Sequence, residues 1–186
     1  MSKIFLTSDL HFGHDREFIY GPRSFTSVRE SDEEIIRRWN EVVKPEDTVY
    51  HLGDFFMGRL DAIEEILDRL NGKIILIRGN HDTNPRIEFY KSKGIEVKDI
   101  DYLRYKGRFF ILCHFPNNSE EFIRMITHDN SEVVWCYGHV HSNAPKSYHD
   151  GTFHVGMDTN NLVPISIEEI WSQCWPEEIM TPKIQH

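Results

Sequence analysis

A chain of 186 residues is the size of one ordinary domain, and a hydrophobic fraction of 39% can fill one buried core. A charged fraction of 27%, with no apolar run near the roughly 20 residues needed to cross a bilayer, argues against an integral membrane protein. A net charge of −9 argues against long, nonspecific contact with a nucleic-acid backbone.

In chain order, Met1-Ser2-Lys3 leads straight into the short run Ile4–Thr7. That run is too brief for the apolar region of a signal peptide, so it reads as a first strand and points to a cytoplasmic protein. The expected strands are Lys3–Ser8, Thr48–Leu52, Lys73–Ile77, Ile95–Lys98, Tyr102–Tyr105, Arg108–Cys113 and Val133–Tyr137, with a late pair at Lys146–Tyr148 and Thr152–Val155. Lys106-Gly107 and Asp150-Gly151 read as hairpin turns, where glycine accepts positive φ at low cost.

Four helices are expected between them. Ser31, with Glu34 reaching back, caps one whose apolar face is Ile35, Ile36, Trp39 and Val43. Leu60, Ile63, Ile66, Leu67 and Leu70 mark a second, closed by Asn71-Gly72. Ser119–Thr127 is the third, and Ser166 with Glu169 caps the fourth. Alternating strands and amphipathic stretches give α/β layers in one domain over residues 1–174, with a loosely ordered or partner-dependent tail at 175–186.

Cys113, Cys136 and Cys174 have no paired spacing and read as reduced, buried residues. Trp39, Trp135, Trp171 and Trp175 read as packing residues, because a base-stacking strip would also need a basic groove.

Five short segments carry the polar residues that packing does not explain: Asp9-Leu10-His11, Gly53-Asp54, Gly79-Asn80-His81-Asp82, His114, and Gly138-His139-Val140-His141. Each is weak alone. Together they place Asp, Asn or His after five of the expected strands, where α/β sheets build their sites. Imidazole nitrogens with carboxylate and amide oxygens, and no thiolate, suit divalent transition ions. Two ions roughly 3.5–4 Å apart need a shared ligand, and a carboxylate has two oxygens to offer. A glycine before Asp54, Asn80 and His139 lets the chain turn sharply there.

This order of motifs resembles the calcineurin-like metallophosphoesterase superfamily, over Asp9 to His141. The resemblance implies a two-layered β-sandwich flanked by helices, an αββα arrangement. It implies a binuclear metal-dependent phosphatase or phosphodiesterase, with two divalent ions, manganese first and iron, nickel or zinc as alternatives. Asp9, His11 and His141 would hold one ion, and Asn80, His114 and His139 the other. Asp54 would bridge them, with a hydroxide between the ions as nucleophile. His81 would serve the leaving group as an acid, its ring oriented by Asp82.

The stretch after Asp54 is Phe55-Phe56-Met57-Gly58-Arg59, not the Asp-Arg-Gly of protein phosphatases. With Ser8–His14 and His114-Phe115-Pro116, it looks more like small bacterial and phage phosphoesterases. The expected substrate is a small phosphate mono- or diester such as a nucleotide. An inactive scaffold of the same fold, and a nuclease acting on nucleic-acid ends, are the alternatives. His14 is placed beside the metals, and Arg78 near the site, as substrate contacts. Arg23, Arg59 and Arg86 are further phosphate candidates against a surface reading. His51 reads as a buried, hydrogen-bonded residue, and His154 as one that could return toward the site.

Overall fold

The computed structural model describes residues 2–117, 132–141 and 151–176. Its strands are β1 (Ile4–Thr7), β2 (Thr48–His51), β3 (Lys73–Ile77), β4 (Glu96–Lys98), β5 (Asp101–Tyr105), β6 (Arg108–Leu112), β7 (Val133–Tyr137), β8 (Thr152–His154) and β9 (Ile165–Ser166). Its helices are α1 (Glu17–Tyr20), α2 (Val28–Val42), α3 (Leu60–Leu67), α4 (Asn84–Ser92) and α5 (Ile167–Cys174). The expected helix Ser119–Thr127 and strand Lys146–Tyr148 lie outside the described residues.

Two sheets form, in the orders β4-β3-β2-β1-β9 and β5-β6-β7-β8. In the first, β1, β2, β3 and β4 run parallel and β9 is antiparallel to β1. In the second, β6, β7 and β8 run parallel, and β5 is joined to β6 by a hairpin. Lys106 and Gly107 both take positive φ at that turn, which suits the right-handed strand twist.

Neighbouring residues of the first sheet go to opposite faces and enter two different cores. Phe5, Val49, Ile74 and Leu76 pack with Ile35, Ile36 and Trp39 of α2, Ile63 of α3 and Tyr90 of α4. Leu6, Leu52 and Ile77 point the other way and pack with Phe110, Leu112, Val134, Cys136 and Phe153 of the second sheet. Helices, first sheet and second sheet therefore form successive layers. Strands covered on both faces read as nearly continuous apolar runs, as IFLT and KIILI do. Each fully buried Leu, Ile or Phe contributes about 1.5–3 kcal/mol, so these faces fix the sheet against the helices.

The short helix α1 and strand β9 are not among the expected elements, and three further local readings change. Helix α2 begins a turn earlier than expected: Ser27 Oγ accepts from Glu30 N, and the Glu30 carboxylate bonds Thr26 N at 2.8 Å. Ser31 is a buried helix-interior residue, because the same S-x-x-E signal occurs four residues upstream. Helix α4 was not anticipated. Its Ile87, Phe89 and Tyr90 make no clean stripe, and Pro85 reads as a breaker although it suits a first helical turn. Trp175 does not dangle but packs with its ring 5.8 Å from Phe110 and 6.4 Å from Trp171. The three cysteines are free. Among the described residues, no helix is long and apolar enough to cross a membrane.

Candidate metal centre

Parallel strands end on the same side of their sheets, and here the C-terminal ends of both sheets meet. The loop after β1 carries Asp9 and His11, that after β2 Asp54, and that after β3 Asn80 and His81. The second sheet delivers His114 after β6 and His139 and His141 after β7. The first two loops continue the strand ladder, with Asp9 N on Gly53 O at 3.0 Å and His11 N on Asp54 O at 3.1 Å. The sheets are stitched together where His139 N donates to Asp9 Oδ2 at 2.9 Å.

The local backbone is unusual. Asp9, His11, Asp54, His139 and His141 all have φ between 50° and 74°. A non-glycine residue held there costs roughly 1–3 kcal/mol, and such strain gathers at functional sites. Glycine has two tasks at the three positions noted in the sequence. Gly53 uses positive φ (90°). Gly79 and Gly138 do not; a Cβ on them would collide with the carboxylates of Asp54 and Asp9 respectively.

Two groups of side chains present converging ligand atoms within 4.8 Å of one another: Asp9, His11 and His141, and Asp9, Asp54 and His114. Asp9 belongs to both groups, and Asp54 Oδ2 of the second lies 3.5 Å from His114 Nε2 and 3.9 Å from His11 Nε2 of the first. Asn80 Oδ1 is 2.9 Å from His114 Nε2 and 2.9 Å from His139 Nδ1. His114 Nδ1 is taken by Leu52 O at 2.7 Å. A neutral His114 that donates there has only a lone pair on Nε2, facing the lone pairs of Asn80 Oδ1 and Asp54 Oδ2.

These features fit a cation. Asp9 and Asp54 are buried, at 0% and 2% exposure, and neither carboxylate pairs with Lys or Arg among the described residues. Buried charge without a partner is expensive. Burial raises the Asp9 pKa, although Ser8 Oγ donates to it at 2.6 Å. Burial, with help from nearby cationic groups, pushes His11 down to about 2 and leaves it neutral; both its ring nitrogens are buried without a hydrogen-bond partner. A neutral imidazole beside an unpaired carboxylate is what a divalent ion requires. The donor set contains no thiolate, which suits a transition ion taking nitrogen and oxygen.

Burial is graded across the centre. Asp9, His11, Asp54 and His114 form the floor; Asn80, His81 and His139 are exposed and form a lip. His81 Nε2 stands 3.9 Å from Asp54 Oδ2, with half of its side chain in solvent. His14 lies beside His11, ring to ring at 5.7 Å. Together with Gly13, Asp15, Arg16 and Met57 it borders an open pocket of about 500 Å³.

Other expected roles change. Asp82 does not bond the His81 ring. Its buried carboxylate accepts Asp54 N at 2.8 Å, Gly79 N at 2.9 Å and Phe55 N at 3.4 Å, which clamps the β2 and β3 loops. Arg78 does not face the centre either; its guanidinium bonds Asp82 O and Asn84 Oδ1. Arg86 braces His81 O and Met57 O, and Arg59 is exposed on Asp61. His51 is wholly buried at 4.5 Å from the Phe55 ring, and neither nitrogen has a hydrogen-bond partner. His154 bonds Thr159 Oγ1 rather than the cluster.

One pair escaped the sequence reading. Arg23 is not a surface cation: its side chain is 3% exposed and its Nε donates to Asp158 Oδ1 at 2.7 Å. Asp158, in the 3-10 turn Met157–Thr159 after β8, in turn meets His141 Nδ1 at 2.6 Å. Burial opposes its charge, but the hydrogen bonds from His141 and Arg23 outweigh it and hold the carboxyl well below its usual range. Asp158 correspondingly raises the His141 pKa. Nothing local in the sequence ties position 23 to 158; only the topology does.

Comparison with known proteins identifies the family. The family model described as calcineurin-like phosphoesterase superfamily domain matches residues 2–156. An uncharacterized protein of Methanocaldococcus jannaschii is 33% identical over 177 residues, covering 91% of this chain and 90% of its own. The Gene 66 protein of Mycobacterium phage D29 is 29% identical over 195 residues, covering 89% and 93%. A solved structure, a protein of unknown function from Aquifex aeolicus, superposes with a TM-score of 0.72 at 29% identity, covering 92% of this chain and 99% of that one.

Proposed function

Because this chain belongs to the calcineurin-like phosphoesterase superfamily, we propose that it hydrolyses a small phosphate mono- or diester at a two-metal centre. One observation carries the metal reading: two buried carboxylates and an imidazole with no hydrogen-bond partner converge where the strand ends of both sheets meet. Asp9, His11 and His141 would hold one ion, and Asn80, His114 and His139 the other, with Asp54 between them. Manganese is taken first from the family resemblance, and iron, nickel and zinc also suit the donor set. When bound, the ions would supply Lewis-acid polarisation of the phosphoryl group and activation of water near neutral pH.

The chain's own residues do the rest. His81, on the exposed lip, reaches the leaving-group oxygen and gives it a proton. Arg86 braces the His81 loop through its carbonyl. Asp82 fixes the main chain at Asp54 and Gly79, so the central carboxylate keeps its aim. His14 and Met57 border the pocket that takes the organic part of the substrate. The acidic chain, at −9, favours a small substrate, nucleotides included, over a long nucleic acid.

The test is hydrolysis of p-nitrophenyl phosphate and bis(p-nitrophenyl) phosphate by metal-stripped protein, before and after manganese. The stripped chain should be inactive and manganese should restore turnover, with the preferred ester assigning the class. If no divalent ion supported turnover of either ester, the fold would be serving as a scaffold.

A further inference from the structure

Arg23 makes four hydrogen bonds from a side chain almost out of solvent. Two go to Asp158, at 2.7 and 3.4 Å, and two to main-chain carbonyls, Asp9 O at 2.7 Å and Leu10 O at 2.9 Å. Leu10 is the residue between Asp9 and His11. Asp158 carries the contact onward to His141 Nδ1. The pair therefore touches Asp9, the peptide leading into His11, and the imidazole of His141. Those are the three residues assigned to one metal subsite. Among the described residues, neither Arg23 nor Asp158 hydrogen-bonds Asn80, His114 or His139.

An ordinary buried ion pair would have no reason to converge on three ligand positions from two distant segments. Asp9, His11 and His141 also sit at φ of 59°, 54° and 50°, conformations that relax unless something holds them. Arg23 supplies that hold for the first two through the carbonyls of Asp9 and of Leu10, the residue before His11. Asp158 supplies it for the third by accepting from Nδ1–H, which leaves the lone pair on Nε2 for a metal. The second subsite has its own device, the Leu52 carbonyl on His114 Nδ1.

We propose that Arg23 and Asp158 are a positioning pair for the Asp9–His11–His141 subsite alone, so that retention of its ion can be weakened separately from that of the other. This rests on the two-metal reading above. Asp158→Asn is the informative variant. It keeps the shape and an oxygen for Arg23, but presents an amide N–H to His141 Nδ1. The imidazole proton must then move to Nε2, the atom the ion needs.

Two measurements follow. In metal-free protein at mildly alkaline pH, ring-nitrogen NMR should place the His141 proton on Nδ1 in the wild type and on Nε2 in Asp158→Asn. In zinc titrations, one binding step of the variant should weaken by roughly 10- to 100-fold, the usual effect of losing such an outer partner. The other step should be unchanged, and the remaining ion should move the nitrogen shifts of His114 and His139 but not of His141. Arg23→Lys, which keeps the charge but offers its donors from a single nitrogen, should weaken the same step less. Two steps of unchanged strength in Asp158→Asn, equal weakening of both, or an unmoved proton would each overturn the pair's selective role. A wild-type chain that takes up only one zinc ion would instead overturn the two-metal reading, and the selectivity with it.

Discussion

Replacing Asp82 with alanine separates two accounts of what that residue does. Asp82 is 1% exposed, and its carboxylate receives three main-chain N–H groups, from Asp54, Gly79 and Phe55. Truncation strands those donors in the interior, at about 1–3 kcal/mol each, with the 3.4 Å bond to Phe55 counting least. Some of this is returned. Burial raises the Asp82 pKa despite its hydrogen bonds, so removing the charge also removes a desolvation cost. The net expectation is a loss of about 2–5 kcal/mol, a large part of the 5–15 kcal/mol that typically holds a domain. Asp82→Asn should lose only about 1 kcal/mol, because one oxygen receives both short bonds and an amide oxygen can replace it. Urea denaturation of metal-free protein, followed by tryptophan fluorescence, reads the difference without metal binding. An alanine variant as stable as the wild type but slow in turnover would refute the clamp. It would restore the sequence-based role, in which Asp82 acts through His81.

His81→Ala should keep its full metal content while its rate falls by about 10²- to 10⁴-fold; a loss of metal would make His81 a ligand. Gly79→Ala drives a methyl into Asp54, so it should lower the melting temperature and weaken metal binding together, and normal metal uptake would contradict that contact. The buried His51 supplies a pH test. Burial pushes it down to about 3, so below pH 6.5 the unfolded chain binds a proton that the folded chain refuses. Stability is complete above pH 6.5 and falls with pH by about 1.4 kcal/mol per unit until the folded pKa is reached. His51→Leu removes that dependence. Its stability relative to the wild type should therefore rise by about 2 kcal/mol between pH 6.5 and 5, and a constant difference would show that His51 does not titrate this way.

Much of the fold could be read from the chain because its strands are covered on both faces. Runs such as IFLT and KIILI then stand out as apolar blocks, and most observed strand ends fall within a residue or two of the expected ones. Candidate site residues stand out for a related reason: Asp, Asn and His directly after such blocks have no packing role. Less was legible where the signal is not local. Helix α4 starts at a proline and has no stripe. The capping signal at Ser27 repeats at Ser31, and only the burial of Ser31 decides between them. Asp82 sits next to His81 in sequence, which suggested a dyad, yet a three-dimensional turn aims its carboxylate at backbone instead. The Arg23–Asp158 pair spans 135 positions and leaves no trace in spacing. Positive φ at five candidate ligand positions is equally silent, since nothing in Asp or His announces it.

The proposed function requires two ions to share this centre across Asp54. Manganese titration of the metal-free chain, followed by electron paramagnetic resonance, tests it most directly. Two equivalents should bind per chain, and at saturation the spectrum should be that of a spin-coupled pair, as expected for ions roughly 3.5–4 Å apart. A single equivalent, or two that keep the signal of isolated manganese, would contradict the account.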